Sequence, residues 1–140
     1  MESPFMSVHE VKKIAMENAV ARLEEAVNKK THHSSDPIVE EMMRDSIIKR
    51  FEFTLETSWK FLRYTLLDEG VLKEALASPK KTIREAYANG LIQDGQVWVD
   101  MINGRNLSAH IYNEDTAERL EAEIITKYLP AFKALLQKLT

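Results

Sequence analysis

An uninterrupted segment at residues 37–69 constrains the fold of this chain most, because it holds no glycine and no proline after its first residue. Asp36 and Pro37 form a strong helix start, in which Asp is the N-cap and Pro takes the first helical position. Gly70 follows the segment, and glycine commonly ends a helix. The segment is therefore predicted to be one helix of about 33 residues, roughly 50 Å long.

Apolar residues cover more than one face of this predicted helix. The main stripe follows helical spacing and contains Ile47, Ile48, Phe51, Leu55, Trp59, Leu62 and Leu66. Phe53, Phe61 and Tyr64 lie partly off the stripe. A helix that is apolar on more than one face needs more than one packing partner, so we expect a helical bundle and a dimer interface.

The remaining helices are predicted from spacing and capping residues. The first covers residues 8–28, and its apolar positions are Val11, Ala15, Ala19, Leu23, Ala26 and Val27. A short helix begins at Ser78-Pro79, and another begins after Asp94-Gly95 and carries Trp98, Met101 and Ile102. The last starts after Asn113, with a kink expected at Pro130. The predicted fold is all-α, an antiparallel four-helix bundle with an extra short helix, in one domain of residues 1–140.

Composition narrows the functional classes. The net charge of −3 argues against a general nucleic-acid coat protein but leaves room for a small basic cleft. Cysteine is absent, which excludes disulfides and thiol chemistry. The sequence predicts neither a signal peptide nor a membrane-spanning segment, so we expect a cytoplasmic protein.

Three further groups of residues are weaker candidates for a site, and each has a structural explanation. His32 and His33, with Asp36 nearby, could bind a metal, but a solvated polar loop is the favoured interpretation and no metal site is predicted. The basic run at residues 80–84 could hold a phosphate backbone through Lys80, Lys81 and Arg84, although a solvated face is more common. Arg44 and Asp45 border the apolar stripe, where a structural salt bridge is favoured over a supporting role in a site.

Polar and ionisable groups are densest at residues 105–112, the segment RNLSAHIY. Arg105 extends the apolar face of Trp98, and a buried arginine is costly unless it is paired. Arginine offers a planar fork of donors that suits phosphate, and His110 can move a proton near neutral pH. The segment therefore contains the parts needed for phosphodiester chemistry without a metal.

Spacing restricts how these groups could act. Arg105 and His110 are five residues apart, which places them about 140° apart around a regular helix. They can converge on one ligand if the helix ends between them or if two subunits share the site. In the structural alternative, Arg105 pairs with Asp45, while His110 and Tyr112 satisfy a helix junction.

The pattern R-x4-H-x-Y, formed by Arg105, His110 and Tyr112, resembles the signature of the HEPN superfamily, and in particular of its HepT type. That type is also described as nucleotidyltransferase substrate-binding proteins. Residues 44–53, 57–60 and 78–92 resemble further blocks of this family in the same order, so the resemblance covers nearly the whole chain. Three positions depart from the residues common in the family, namely Ser108, Ala109 and Ile111.

The resemblance implies a homodimer in which Arg105 and His110 of two subunits line a shared cleft. It implies a toxin that acts as a metal-independent endoribonuclease on RNA, with Asn106 as a polar helper and no cofactor. It also implies a minimal nucleotidyltransferase antitoxin, which neutralises the toxin by attaching AMP to Tyr112. Two alternatives remain open at this point: a non-catalytic nucleotide- or substrate-binding subunit of a nucleotidyltransferase complex, and a structural helical protein with no ligand.

Overall fold

The computed structural model describes residues 6–31, 36–110 and 113–139, without the side chains of residues 31, 109 and 110. The described residues are helical with short connections and contain no β-strand, which confirms the predicted all-α class. The helices are α1 (Val8–Thr31), α2 (Pro37–Asp68), α3 (Pro79–Ala88), α4 (Gly95–His110), α5 (Glu114–Glu123) and α6 (Leu129–Leu139). A 3₁₀ turn at Lys73–Leu76, which the sequence analysis did not predict, precedes α3.

Local capping sets the predicted helix ends. The Asp36 carboxylate accepts hydrogen bonds from the main-chain N–H groups of Ile38 and Val39, and Pro37 opens α2. Gly70, which follows the end of α2, has a φ of 96°, a left-handed conformation that favours glycine. The Asn113 side chain accepts from Thr116 N at 2.8 Å and so caps α5. These contacts involve only near neighbours in the chain, which is why they could be predicted from the sequence.

Helix α2 is the central element and runs antiparallel to α1. Contacts between the two helices move in opposite directions along the chain, from His9–Thr65 through Ala19–Thr54 to Arg22–Arg50. Helix α2 also packs against α3, α4 and α5. The core therefore forms around α2, and its largest fully buried members are Phe51, Phe61, Phe132 and Tyr128.

The predicted inward face of α1 was wrong at its N-terminal end, where Val11 and Ala15 are exposed. Met16 and Val20 are buried instead. Steps of four residues advance 400° around the helix, so each step drifts by about 40°. Val11 consequently lies about 120° away from the buried Leu23.

At Pro130, where a kink is predicted, the chain is helical within α6, and a π-helical turn at Ile124–Tyr128 comes before it. Leu129 N–H bonds to the carbonyl of Ile124, five residues back, immediately before the proline that lacks an N–H. Tyr128 in this turn stacks on Phe51 with ring centroids 5.4 Å apart. None of the helices in the described ranges combines the length and apolar character required to span a bilayer.

Candidate active site

Arg105 lies in the C-terminal half of α4 and projects toward α2. Its Nη1 donates a hydrogen bond to Glu56 Oε2 at 3.0 Å, and its side chain remains 29% exposed. Its Nη2 donates to Asn106 Oδ1 at 3.4 Å. The guanidinium is thus held from two sides while part of it stays accessible to solvent.

Glu56 on α2 is the main anchor of Arg105. Its Oε2 also accepts from Trp59 Nε1 at 3.1 Å, and its Oε1 pairs with Lys60 Nζ at 3.0 Å. Burial acts to raise the pKa of Glu56, but the hydrogen bonds from Lys60 and Trp59 and the charges of Lys60 and Arg105 outweigh it, so the pKa is lowered. Glu56 therefore stays ionised and holds Arg105 with a full negative charge.

The partner of Arg105 corrects the structural alternative, in which Arg105 pairs with Asp45. Asp45 lies eleven residues before Glu56 on α2, which is about 16 Å along the helix axis. Glu56 is not among the site residues predicted from the sequence. Its only local signal was its spacing of three and four residues from Trp59 and Lys60, which does not connect it to α4.

Arg44 and Asp45 lie elsewhere on α2, and none of the contacts in the described part of the chain joins them to Arg105. The side chain of Arg44 is 8% exposed and pairs with Glu114 at 3.9 Å and Glu118 at 3.7 Å, both on α5. Its buried Nε has no hydrogen-bond partner within the described residues. Arg44 thus forms the structural ion pairs that were favoured for it, and these join α2 to the start of α5.

A cavity of about 220 Å³ lies between α2, the end of α4 and the start of α5. Its lining comprises Asp45, Ile48, Lys49, Glu52, Ser108, Asn113, Thr116, Ala117 and Leu120. Ser108 Oγ donates to the main-chain oxygen of Arg105 at 2.8 Å, which ties this wall to the helical turn that carries Arg105. The cavity therefore adjoins the RNLSAHIY segment.

His110 is the last residue of α4, and Asn113 caps α5 three residues later. Helix α4 therefore contains both Arg105 and His110, and no helix break separates them. The two residues share one helix at an angular separation of about 140°. The side chain of His110, like Tyr112 as a whole, lies outside the described residues.

The other residues predicted as site candidates either lie away from Arg105 or fall outside the residues that the structure describes. His32 and His33 fall outside the described ranges, so the metal interpretation of that loop stays a hypothesis. Within those ranges, no three His, Cys, Asp or Glu side chains are grouped so that they could hold a metal ion. The basic run at residues 80–84 lies on α3, against the N-terminal half of α4.

Comparison with known families identifies the class of protein. Residues 13–140 match the family model described as nucleotidyltransferase substrate binding protein like. The match extends over most of the chain, which therefore belongs to that family, the HEPN/HepT family whose motif blocks it resembles.

Individual relatives agree with this assignment. The chain is 30% identical over 89 residues to a protein named probable ribonuclease HepT from Haemophilus influenzae. The match spans 62% of this chain and 61% of that relative, which is less than two thirds of its length.

Solved structures share the fold. A substrate-binding domain of a nucleotidyltransferase from Haemophilus influenzae superposes with a TM-score of 0.80 at 26% identity, over 91% of this chain and 98% of that one. A tri-AMPylated HEPN toxin from Shewanella oneidensis, in complex with its MNT antitoxin, superposes with a TM-score of 0.70. That pair covers 95% and 96% of the two chains at 14% identity, so it shows the likeness of fold alone.

Proposed function

We propose that this chain is a HEPN toxin that cleaves RNA as a metal-independent endoribonuclease and is paired with a minimal nucleotidyltransferase antitoxin. The observation that carries the proposal is the anchored but accessible guanidinium of Arg105, on the same helix as His110. The family and the toxin-like fold of the Shewanella neighbour support the same conclusion.

The reaction begins when the 2′-hydroxyl of a nucleotide attacks the adjacent phosphate. His110 takes the proton of that hydroxyl as general base, which typically contributes ~10²–10⁴ in rate. The bond from phosphorus to the 5′-oxygen breaks, and His110, now protonated, returns the proton to the leaving oxygen. Arg105 stabilises the negative charge that develops on the phosphate oxygens. A positioned acid, a base and a fixed cation are sufficient for this chemistry, so the mechanism needs no metal.

The site is proposed to be shared by two copies of the chain. Because α4 continues to His110, Arg105 and His110 of one chain occupy positions about 140° apart around the helix. Arg105 of one subunit and His110 of the other can meet on the same phosphate in a homodimer.

Control of the toxin is proposed to act at Tyr112. The antitoxin catalyses attack of the Tyr112 hydroxyl on the α-phosphate of ATP, which joins AMP to the tyrosine and releases pyrophosphate. The attached AMP blocks the cleft and adds negative charge where the RNA phosphate must bind. When the chain is co-expressed with its nucleotidyltransferase, mass spectrometry should find AMP additions on the wild type and none on Tyr112→Phe. Equal AMP addition to both proteins would remove Tyr112 from the proposal.

The second candidate is a non-catalytic subunit that presents a nucleotide or substrate to the nucleotidyltransferase. The description of the matched family and of the Haemophilus structure favours it. In that case Arg105 and His110 bind phosphate without chemistry. Incubation of RNA with purified protein in EDTA separates the two candidates, because only the toxin cuts RNA and loses that activity in His110→Ala. Equal cutting by the two proteins would refute the catalytic assignment.

A further inference from the structure

We propose that α3 carries a second RNA-binding surface, which holds the phosphate backbone and one base of a strand extending from the Arg105 site. This surface, the α3 patch, consists of Lys80, Lys81, Arg84 and Tyr87. The inference rests on the proposed function, because it gives the same RNA substrate a second point of contact.

Helical spacing brings the four side chains of the α3 patch together. Lys80, Arg84 and Tyr87 follow one another at intervals of four and three residues, so they share one face of α3. Lys81 is three residues before Arg84 and lies beside it. Lys81, Arg84 and Tyr87 are exposed, and Lys80 is half-buried.

The cations of the α3 patch form no ion pair within the described part of the chain. In the part of the chain that the structure describes, no carboxylate pairs with Lys80, Lys81 or Arg84, whereas Arg44 and Arg105 are both paired. Glu85 and Asp94 are the nearby acids by position, and the Asp94 carboxylate accepts from Val97 N at 3.2 Å. A patch of three unpaired cations on a chain of net charge −3 favours a phosphate ligand.

The placement of the lysines opposes helix stability. Lys80 and Lys81 follow the N-cap Ser78 and occupy the first turn of α3, which contains no acidic residue. The positive end of the helix dipole favours acidic side chains there and is destabilised by lysine. Since these lysines weaken the helix, its stability does not explain their position.

Tyr87 supplies a platform on which a base can stack. It is 56% exposed and lines a groove of about 390 Å³ between α3 and the start of α4. The Tyr87 ring packs directly against the backbone of α4 at Gly95. A side chain at position 95 would crowd the ring, because its Cβ would lie 3.2 Å from Tyr87 Cγ. An exposed aromatic ring held in this way beside unpaired cations is typical of single-strand binding sites.

The groove and the Arg105 site lie at different positions along α4. Ten residues separate Gly95 from Arg105, which is about 15 Å along the helix, or about four to five stacked nucleotides. Gln96 and Asn103 are exposed and uncharged, but they lie about 160–180° around α4 from Arg105. The strand must therefore also pass around the helix, and Asn106 is exposed beside Arg105 on this path. Asp100, the acid closest to it, accepts a hydrogen bond from Gln96 Nε2 at 2.9 Å. One RNA strand can therefore reach both surfaces, whereas a dinucleotide cannot.

RNA affinity is the direct test, measured by fluorescence anisotropy with a labelled single-stranded RNA of about 12 nucleotides. The protein carries His110→Ala so that the RNA stays intact. Lys81→Gln with Arg84→Gln should weaken binding by roughly tenfold at low salt and reduce the salt slope by about 1.4, since each phosphate contact contributes about 0.7. Tyr87→Ala should weaken binding by roughly tenfold, while Tyr87→Phe retains the stacking ring and the affinity.

Arg22→Gln with Lys29→Gln is the matched control, because it removes one arginine and one lysine that are equally exposed on α1. This variant should reduce the salt slope much less. If the two double variants weaken RNA binding equally, the α3 patch is not a specific RNA-binding surface. The proposal is also overturned if the α3 variant no longer captures the nucleotidyltransferase but binds RNA as the wild type does. Thermal unfolding of each variant confirms that it folds.

Cleavage by the His110-containing protein distinguishes the two proposals. The Lys81→Gln with Arg84→Gln variant should raise the KM of the longer RNA and leave kcat/KM for a dinucleotide unchanged. If the wild-type chain cuts neither RNA, the endoribonuclease proposal fails, while the anisotropy still decides whether the α3 patch binds RNA. A parallel loss on the dinucleotide would contradict a separate binding surface.

Discussion

Glu56 Oε2 accepts a hydrogen bond from Arg105 Nη1 at 3.0 Å, although the two residues are 49 positions apart in the sequence. This contact joins α2 to the helix that carries His110, and it orients the cation assigned to the transition state. Because the same carboxylate also bonds Trp59 and Lys60, Arg105 is held by a group that is itself fixed in place. Glu56 is therefore a positioning residue for the proposed reaction.

Replacement of Glu56 by Gln should lower the rate of RNA cleavage by about 10- to 100-fold, because a displacement of Arg105 by about 1 Å has effects of that size. The expected change is in kcat, since substrate binding has other contacts. Single-turnover cleavage at saturating protein measures it. Glu41→Gln, which removes an exposed acid from the same helix, is the control and should be neutral. If both variants cleave at the wild-type rate, Glu56 does not position Arg105.

The lowered pKa of Glu56 predicts how stability depends on pH. The ionised form is favoured in the folded state, so its contribution is present above the ordinary value of 4.5 and is lost as the pH falls through the lowered folded-state pKa. Glu56→Gln lacks this contribution. The free-energy difference between wild type and variant, measured by urea unfolding, should therefore shrink as the pH falls below 4.5. A difference that grows on acidification would show that the pKa is raised.

Replacement of Arg44 should show whether its charge or its volume matters. Its ion pairs are long, its Nε is buried without a hydrogen bond in the described structure, and Glu114 and Glu118 are exposed enough to be solvated alone. Arg44→Met should therefore change the free energy of unfolding by less than about 1 kcal/mol. Arg44→Ala leaves a cavity and should cost about 2–3 kcal/mol. Equal losses in urea unfolding would mean that the charge carries the stability.

Two phenylalanines on α2 test the packing of the central helix. Phe51 is fully buried and stacks on Tyr128, so Phe51→Ala should cost about 3–5 kcal/mol of unfolding free energy. Phe53 is 58% exposed, so Phe53→Ala should change it by less than about 0.5 kcal/mol. Chemical denaturation of both proteins makes the comparison. Similar costs for the two changes would place the buried face of α2 elsewhere.

The features that could be predicted from the sequence depend on near neighbours in the chain. The limits of α2 follow from Asp36, Pro37 and Gly70, and its buried stripe follows from helical spacing. The family could be recognised because several motif blocks occur in one order along the chain. In each case the relevant residues lie within a few positions of one another, or repeat with a fixed period.

The features that could not be predicted depend on packing between helices. The rotation of α1 about its axis is set by its contacts with α2 and α6. Apolar residues spaced four apart therefore predicted Val11 and Ala15 to be buried, but both are exposed. The partner of Arg105 could not be predicted either, because α2 carries several acidic residues. Only the position at which α4 packs against α2 brings Glu56, and not another acid, to Arg105. In the sequence, the α3 patch is recognisable only from its basic residues. The role of Tyr87 depends on the packing of its ring against Gly95, which only the structure shows.

Subunit complementation tests most directly whether Arg105 and His110 act together across two copies of the chain. Arg105→Ala and His110→Ala proteins are each expected to be inactive toward RNA in EDTA. When they are mixed and refolded together, heterodimers regain one site with an intact arginine and an intact histidine, so cleavage should return to a measurable fraction of the wild-type rate. An inactive mixture that contains heterodimers, verified with two distinguishable tags, would contradict the shared site.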